Sequence, residues 1–295
     1  MIRSRRRLLV TGALAALSGL VGCAGPAAVL RTAPPSGLPR RAELAATPFH
    51  PQEDYQCGPA ALAMALGAAG IPAVPAELAG RVFLPGRQGS LQIEMLAGAR
   101  RSGALAVEVP GRLESLLAEV AAGQPVVVLL NLGLSWAPSW HYAVLIGYDL
   151  DESVFLLRSG PMARQVLPID TFERTWDRAG RWAFVALPPG KLAASADELQ
   201  TTRAMVAFEK AAPAGDAVTV YRAGLARWPS SLTLAIGLGN SLYKTGDLAG
   251  AEAAFRAAAD RHDAPAAWTN LAHVLNEQRR PVEARAAAAR ADRSR

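Results

Sequence analysis

The chain has 295 residues, of which 51% are hydrophobic and 19% are charged, and its formal net charge is +6. This length suffices for one domain of ordinary size and a smaller second domain. Four arginines lie within the first seven residues, so without the first 23 residues the net charge is only +2. The clustered basic surface that nucleic-acid phosphates require is therefore not expected, and nucleic acid is excluded as a partner.

Residues 1–23 are predicted to be a targeting segment, and they are kept apart from the fold. An apolar stretch from Leu8 to Leu20 follows the arginines and is too short to cross a bilayer as a stable helix. Residues 20–23, Leu-Val-Gly-Cys, resemble a bacterial lipobox, in which the cysteine is lipidated and becomes the N-terminus. The arginine run also resembles a twin-arginine export signal. An uncleaved membrane anchor with a chance Gly-Cys pair is the alternative.

Lipidation of Cys23 would attach the protein to a membrane of the cell envelope. Residues 24 and 25 are Ala and Gly, not the Asp that retains lipoproteins in the inner membrane of many diderm bacteria. An outer-membrane anchor facing the periplasm is therefore expected. Residues 24–46 are rich in Pro, Ala and Arg without a sustained period, which predicts a flexible tether.

Residues 47–190 mix helical and strand-like patterns. Helical patterns come first, from 59 to near 70 and over 75–82, 91–102 and 113–122. Strand-like runs follow at 125–130, 142–148, 154–157, 164–169 and 182–187. Helices followed by strands predict an α+β domain with an antiparallel sheet.

Cys57 is the only free thiol once Cys23 is lipidated, so no disulfide can form within the mature chain. It lies in residues 52–59, Gln-Glu-Asp-Tyr-Gln-Cys-Gly-Pro, at the start of the first helix. A helix N-terminus favours the thiolate, so we expect a lowered pKa for Cys57 and a role as nucleophile. The alternative is a buried structural cysteine.

A thiol nucleophile needs a base, and the chain has four histidines. His262 and His273 lie in the C-terminal helical part, and His50 lies shortly before Cys57. His141 opens an apolar strand, where an imidazole at the rim of the sheet can work in a cleft. Taken alone, His141 is more often a satisfied core or surface histidine, but the cysteine motif ahead of it reverses that preference in favour of a base.

These features resemble the C39-type, papain-like cysteine peptidases. The shared marks are Gln-x4-Cys-Gly-Pro leading a helix, a histidine opening a Tyr-Ala-Val strand, the residues Gly-Tyr-Asp at 147–149, and a closing helix over 170–176. The resemblance covers about half the chain. It implies Cys57 as nucleophile, His141 as general base and then acid, and Gln52 as a donor to the oxyanion. Such a donor is commonly worth ~10² to 10³ in rate.

The residue that orients the histidine departs from this family pattern. The family places Asp or Asn about one strand later, whereas this chain has Ser159. A serine oxygen can accept the imidazole N–H bond but stabilises an imidazolium less than a carboxylate does. Asp149 and Asp151 are substitutes in principle, although both fit a turn after the His141 strand. Weak catalysis is thus one alternative, and a peptidase fold that only binds peptides is another.

Residues 198–295 carry a repeating helical pattern. The features that resemble a tetratricopeptide unit are Gly239, the turn at 246–247, Ala251 and Phe255. Ala272 follows Gly239 by 33 residues, and Tyr221 precedes Phe255 by 34, so about two and a half repeats are predicted. Such stacks present a concave surface that usually binds a peptide or protein. An ordinary Ala-rich helical bundle is the alternative.

The sequence therefore predicts a signal peptide over 1–23, a tether over 24–46, a C39-like α+β domain over 47–190 and all-α repeats over 198–295. In the α+β domain, N-terminal helices are expected to pack on an antiparallel sheet.

The predicted function is a lipid-anchored cysteine peptidase that acts on a peptide or protein through a Cys57 acyl-enzyme, with a protein partner on the repeats. The alternatives are a non-catalytic peptide-binding scaffold and a Cys-dependent amidase or acyltransferase. No metal or other cofactor is expected, because Cys-x2-Cys and His-x3-His spacings are absent.

Overall fold

The computed structural model describes residues 25–51 and 56–294. The predicted signal peptide with Cys23, and the predicted oxyanion donor Gln52, lie outside the described residues. Within the described residues, the first part is an antiparallel sheet between helices, and the second part is helical. In these same segments no helix combines the length and apolar character needed to cross a membrane.

The first part alternates helices and strands more than the sequence predicts. Its helices are α1 (Pro26–Thr32), α2 (Cys57–Ala68), α3 (Pro75–Val82), α4 (Gln92–Arg101), α5 (Leu113–Ala121) and α6 (Ile169–Asp177). Its strands are β1 (Arg41–Glu43), β2 (Phe83–Leu84), β3 (Gly89–Ser90), β4 (Leu105–Glu108), β5 (Val126–Asn131), β6 (Trp140–Asp149), β7 (Val154–Ser159), β8 (Met162–Pro168) and β9 (Ala183–Leu187). Helix α1, strands β1 and β4, and the β2–β3 hairpin were not predicted.

A seven-stranded antiparallel sheet orders its strands β4-β9-β5-β6-β7-β8, with β1 also paired to β6. Strand β5 is buried at every position, as expected for a strand covered on both faces. It pairs with the first part of β6, from Asn131 opposite Trp140 to Val126 opposite Leu145. Strand β1 pairs with the last part, and a side chain at Gly147 would lie 2.7 Å from the carbonyl oxygen of Ala42. A glycine there therefore lets β1 approach.

Two hydrophobic cores lie on opposite faces of the sheet. Helices α2, α3 and α4 cover one face, around the buried residues Met64, Met95 and Phe184. Helices α5 and α6 cover the other face, around Phe172 and Trp176. The α+β architecture with N-terminal helices on an antiparallel sheet is thus confirmed, with a third layer on the far face.

Residues 25–46 differ from the flexible tether that the sequence predicts. The N–H group of Ala27 donates to a carboxylate oxygen of Asp170 at 3.0 Å, and Leu30 is buried in the core beneath α5 and α6. Farther on, β1 joins the sheet, and the Tyr148 hydroxyl donates to the carbonyl of Pro39 at 2.9 Å. Buried apolar side chains and strand pairing hold this segment on the domain, although its composition is that of a linker.

The connection to the helical part is also fixed. The buried carboxylate of Glu119 accepts hydrogen bonds from the N–H groups of Ala194 and Ser195, at 3.0 and 2.8 Å, and from the Ser195 hydroxyl at 2.6 Å. Arg227 donates to the carbonyl of Ala193 at 2.7 Å. These contacts join the two parts through defined hydrogen bonds.

The second part consists of successive antiparallel helices. They are α7 (Glu198–Glu209), α8 (Ala214–Arg227), α9 (Leu232–Lys244), α10 (Leu248–His262), α11 (Pro265–Glu277) and α12 (Pro281–Arg293). A side chain at Gly239 would lie 2.4 Å from the ring of Phe255, so this small residue lets α9 and α10 pack closely. Helix α7 packs on strand β4 as well as on α8, whereas α8 to α12 pack in succession. These five helices make two helical hairpins and a preceding single helix, as the two and a half repeats suggested by the sequence require.

Candidate active site

Cys57 is the first residue of α2 and is half-buried. The preceding residue, Gln56, makes no side-chain cap, so the first N–H groups of the helix face the thiol region without that competitor. A side chain at Gly58 would lie 2.3 Å from the hydroxyl of Ser90. The glycine after the cysteine therefore allows β3 to pack directly against the start of α2.

The Cys57 thiol is surrounded by backbone donors. The N–H groups of Cys57, Gly58 and Tyr142 hydrogen-bond the sulfur and act to lower its pKa, but burial acts more strongly and raises the pKa of Cys57 overall. The lowered pKa expected from the helix N-terminus is therefore not found, because the loss of hydration outweighs the helix donors.

His141 is the second residue of β6, opposite Leu130 of β5. Its Nε2 atom lies 2.9 Å from the Oγ atom of Ser159, a buried residue at the end of β7. Burial lowers the pKa of His141, which favours the neutral imidazole. With Nε2 facing the serine, Nδ1 is the nitrogen left to act as a base.

Two observations bring Cys57 and His141 together. The sulfur accepts a hydrogen bond from the N–H group of Tyr142, the residue directly after His141. Both side chains also line the same cleft. The predicted pair thus shares one site, in which Ser159 contacts the imidazole at Nε2.

Asp149 and Asp151 lie at the opposite end of β6 from His141. Asp149 accepts hydrogen bonds from the N–H groups of Asp151 and Glu152, as in a turn. The Asp151 carboxylate pairs with Arg40 and with Arg41. Neither aspartate is placed to orient the imidazole, so Ser159 is the residue next to it.

The cleft has a volume of about 1200 Å³. Its walls come from four segments: the β2–β3 hairpin with the start of α4, the start of β6, the turn after β7, and the turn after α6. The lining residues in these segments are 87–92, 139–142, 160–161 and 178–180. A smaller depression of about 560 Å³ between β1 and β8 contains no cysteine, serine or histidine. Among the described residues, no cluster of three or more His, Cys, Asp or Glu side chains is arranged to hold a metal ion.

Several positioning residues carry no sequence signal of their own. Asn131 accepts hydrogen bonds from the N–H groups of Gly133 and Ser139, both at 3.0 Å, and so shapes the loop that delivers His141. The Arg158 guanidinium donates to the carbonyls of Thr47 and Ala163. Only the neighbours that the fold supplies reveal these roles.

Comparison with known proteins agrees with this geometry. Residues 44–184 match the Peptidase_C39 like family. These residues form a peptidase C39-like domain. Residues 214–263 and 236–295 match the tetratricopeptide repeat, so the helical part is a tetratricopeptide module. Comparison with curated proteins gave no significant match.

Three solved structures are similar to the peptidase-like half. One from Bacillus anthracis, described as C39-like peptidase, is 22% identical with a TM-score of 0.43, and the alignment covers 52% of this chain and 98% of that chain. A double glycine motif protease from an AMS/PCAT transporter, in complex with the leader peptide, is 20% identical with a TM-score of 0.36 and coverages of 48% and 91%. The peptidase domain of Streptococcus ComA, a bifunctional ABC transporter, is 18% identical with a TM-score of 0.40 and coverages of 48% and 98%.

Proposed function

We propose that this protein is a cysteine peptidase that cleaves a peptide bond through an acyl-enzyme on Cys57. One observation carries the proposal. His141 has Ser159 at 2.9 Å from its Nε2 atom, and it lines the same cleft as a thiol that is hydrogen-bonded to the next residue along β6. The three side-chain types that acyl transfer by a thiol requires, a nucleophile, a base and an orienting group, therefore come together at one site.

The chemistry would begin from a neutral pair, because burial raises the pKa of Cys57 and lowers the pKa of His141. As the sulfur attacks the carbonyl carbon of the scissile bond, the thiol proton passes to Nδ1 of His141. Ser159 accepts the Nε2 proton's hydrogen bond and keeps the ring in this orientation. The N–H group of Cys57, together with Gln52, would stabilise the oxyanion.

The second half of the reaction returns the enzyme to its starting state. His141 gives its proton to the leaving amine, and the acyl group remains on sulfur as a thioester. His141 then takes a proton from water as its oxygen attacks the thioester carbon, the carbon–sulfur bond breaks to release the carboxylic acid, and the thiolate takes the proton back from His141.

A peptide digestion experiment tests this proposal. The wild-type protein, produced without residues 1–24, is incubated with a peptide library of diverse sequence, and new termini are identified by mass spectrometry. Cleavage that disappears in Cys57→Ala supports the peptidase. Peptide binding by both proteins without any cleavage would favour the non-catalytic scaffold. Two observations already support that alternative, namely the raised pKa of the Cys57 thiol and the serine beside His141. Release of ammonia or acyl transfer without peptide cleavage would indicate the amidase or acyltransferase.

We further propose that Cys23 is lipidated and anchors the protein to the outer membrane facing the periplasm, and that the tetratricopeptide module binds a protein partner. The lipobox-like Leu-Val-Gly-Cys supports the first proposal, and the repeat match supports the second. Cell fractionation and the intact mass of the membrane-extracted protein, compared with Cys23→Ser, test the anchor. Loss of lipid mass and release from the membrane are expected for the variant.

A further inference from the structure

Two arginines line the cleft that holds Cys57 and His141. Arg87 is exposed in the turn between β2 and β3, and Arg178 directly follows α6. The described lining residues include no aspartate or glutamate. The cleft wall thus carries positive charge that its own described side chains do not balance.

Arg178 is held in place, although no described acidic side chain pairs with its charge. Its Nη2 atom donates to the carbonyl of Asn131 at 2.9 Å, whereas its Nε atom is buried and has no hydrogen-bond partner within residues 25–51 and 56–294. Among the described residues it forms no ion pair, in contrast to Arg181, which pairs with Asp177 and Glu173. A buried donor without a partner is uncommon in a folded protein and calls for a ligand or an ordered water.

The anchor of Arg178 places it near the catalytic pair. Asn131 lies opposite Trp140 in the sheet, and Trp140 directly precedes His141. The carbonyl that holds the guanidinium and the backbone that carries the imidazole therefore lie on neighbouring, paired strands. A substrate that lies in the cleft beside His141 can then meet Arg178 as well.

We infer that Arg178, assisted by Arg87, forms a carboxylate-binding subsite of this cleft. A guanidinium presents several N–H donors in one plane, and it matches the two oxygens of a carboxylate. The carboxylate comes from an acidic side chain near the scissile bond or from the C-terminus of the peptide. A role of this subsite in cleavage rests on the proposed peptidase function, whereas carboxylate binding by the subsite does not.

Binding is measured with Cys57→Ala protein lacking residues 1–24, so that no turnover intervenes. The probes are fluorescein-labelled octapeptide pools with one position fixed as Asp or as Asn, each made with a C-terminal acid and with a C-terminal amide. We expect at least about tenfold tighter binding for the carboxylate member of one such pair. A preference for Asp over Asn identifies a side chain, and a preference for acid over amide identifies the C-terminus.

Substitution of Arg178 assigns the preference to this residue. Arg178→Gln, which removes the charge and the guanidinium fork but keeps a polar side chain, should abolish the preference while neutral pools bind as before. Arg178→Lys keeps the positive charge but lacks the planar guanidinium, and it should keep part of the preference for the carboxylate peptide. The matched control is Arg174→Gln, the same charge change one turn earlier on α6 at a residue outside the cleft. It should leave the preference intact.

Two results would overturn the inference: equal binding of all acid and neutral pools, or a preference that Arg178→Gln retains while the variant unfolds at the wild-type temperature. Cleavage of the same peptide pools by protein that retains Cys57 tests the proposed peptidase function separately from the carboxylate subsite. A carboxylate preference without cleavage supports the subsite and counts against the peptidase. Cleavage without a carboxylate preference supports the peptidase and counts against the subsite.

Discussion

The two ends of β6 have the same backbone structure but opposite chemistry. At the Asp149 end, charged groups are paired: Asp151 bonds Arg40 and Arg41, and Glu43 binds Arg164. At the His141 end, partial burial favours the neutral forms of Cys57 and His141 by raising the pKa of the thiol and lowering the pKa of the imidazole, and the nearby Arg178 lacks an ion pair in the described structure. The charged side chains at one end of the strand therefore neutralise one another, whereas the other end has groups with shifted pKa values and an arginine without a described ion pair. Such groups tend to mark functional sites.

Removal of the imidazole should give the largest loss at the cleft end. In His141→Ala no side chain can take the thiol proton or return it to the amine, so kcat/KM should fall by about 10² to 10⁴. Peptide cleavage by purified variant and wild type measures this, with thermal unfolding as the folding control. Retention of wild-type kcat/KM would show that another group is the base.

The pH profile should be broad, because the lowered pKa of His141 and the raised pKa of Cys57 move its limbs apart. Activity should fall only below the ordinary imidazole pKa of about 6.5, as the imidazole is protonated, and only above the ordinary thiol pKa of about 8.5, as the thiol ionises and the leaving amine loses its proton donor. Alkylation by iodoacetamide should likewise become fast only above about pH 8.5. Fast alkylation below pH 7 would instead indicate a preformed thiolate–imidazolium pair.

Substitutions at Ser159 should have smaller effects than loss of His141. Ser159→Ala removes one hydrogen bond to the ring, worth about 0.5 to 1.5 kcal/mol, so kcat should fall by about tenfold or less. Ser159→Asn, which supplies an amide oxygen at the same place, should recover or exceed wild-type activity. If Ser159→Ala is fully active with an unchanged pH profile, Ser159 does not orient the imidazole.

The Asp149 end should tolerate change. Asp151→Asn removes an exposed carboxylate paired with Arg40 and Arg41, and exposed ion pairs contribute little. We expect kcat/KM within about twofold of wild type and an unfolding temperature close to it. A large loss of activity would mean that the two ends are coupled, contrary to the comparison.

The sequence could predict those parts of the site whose signals are local. Cys57 at a helix start and His141 at a strand start both follow from nearby residues, and the structure places them in one cleft. The direction of the Cys57 pKa could not be predicted, since it depends on burial by distant segments. Arg178 was missed for the same reason, because a charge is unpaired only relative to neighbours that the fold supplies.

The fold shows the same division. Continuous apolar runs predict strands β5 and β6, and helical periodicity predicts the long helices. Strand β1 has three residues and pairs with a strand more than 100 residues away, so nothing in its own composition marks it. Helix α1 is equally short, and it depends on contact with Asp170 and the core.

The docking of α1 sets how far the proposed enzyme can reach. Asp170, which binds the start of α1, directly follows Ile169, which is bonded to Ser153 at the Asp149 end of the sheet. If Cys23 carries lipid, only residue 24 separates it from Gly25, while His141 lies about 25 Å from Asp149 along β6. The anchored end of the protein would then lie near the membrane, and the cleft with His141 would lie at the opposite end of β6. Its substrates would be polypeptides that extend clear of the lipid headgroups, and those lying flat on the bilayer would escape it.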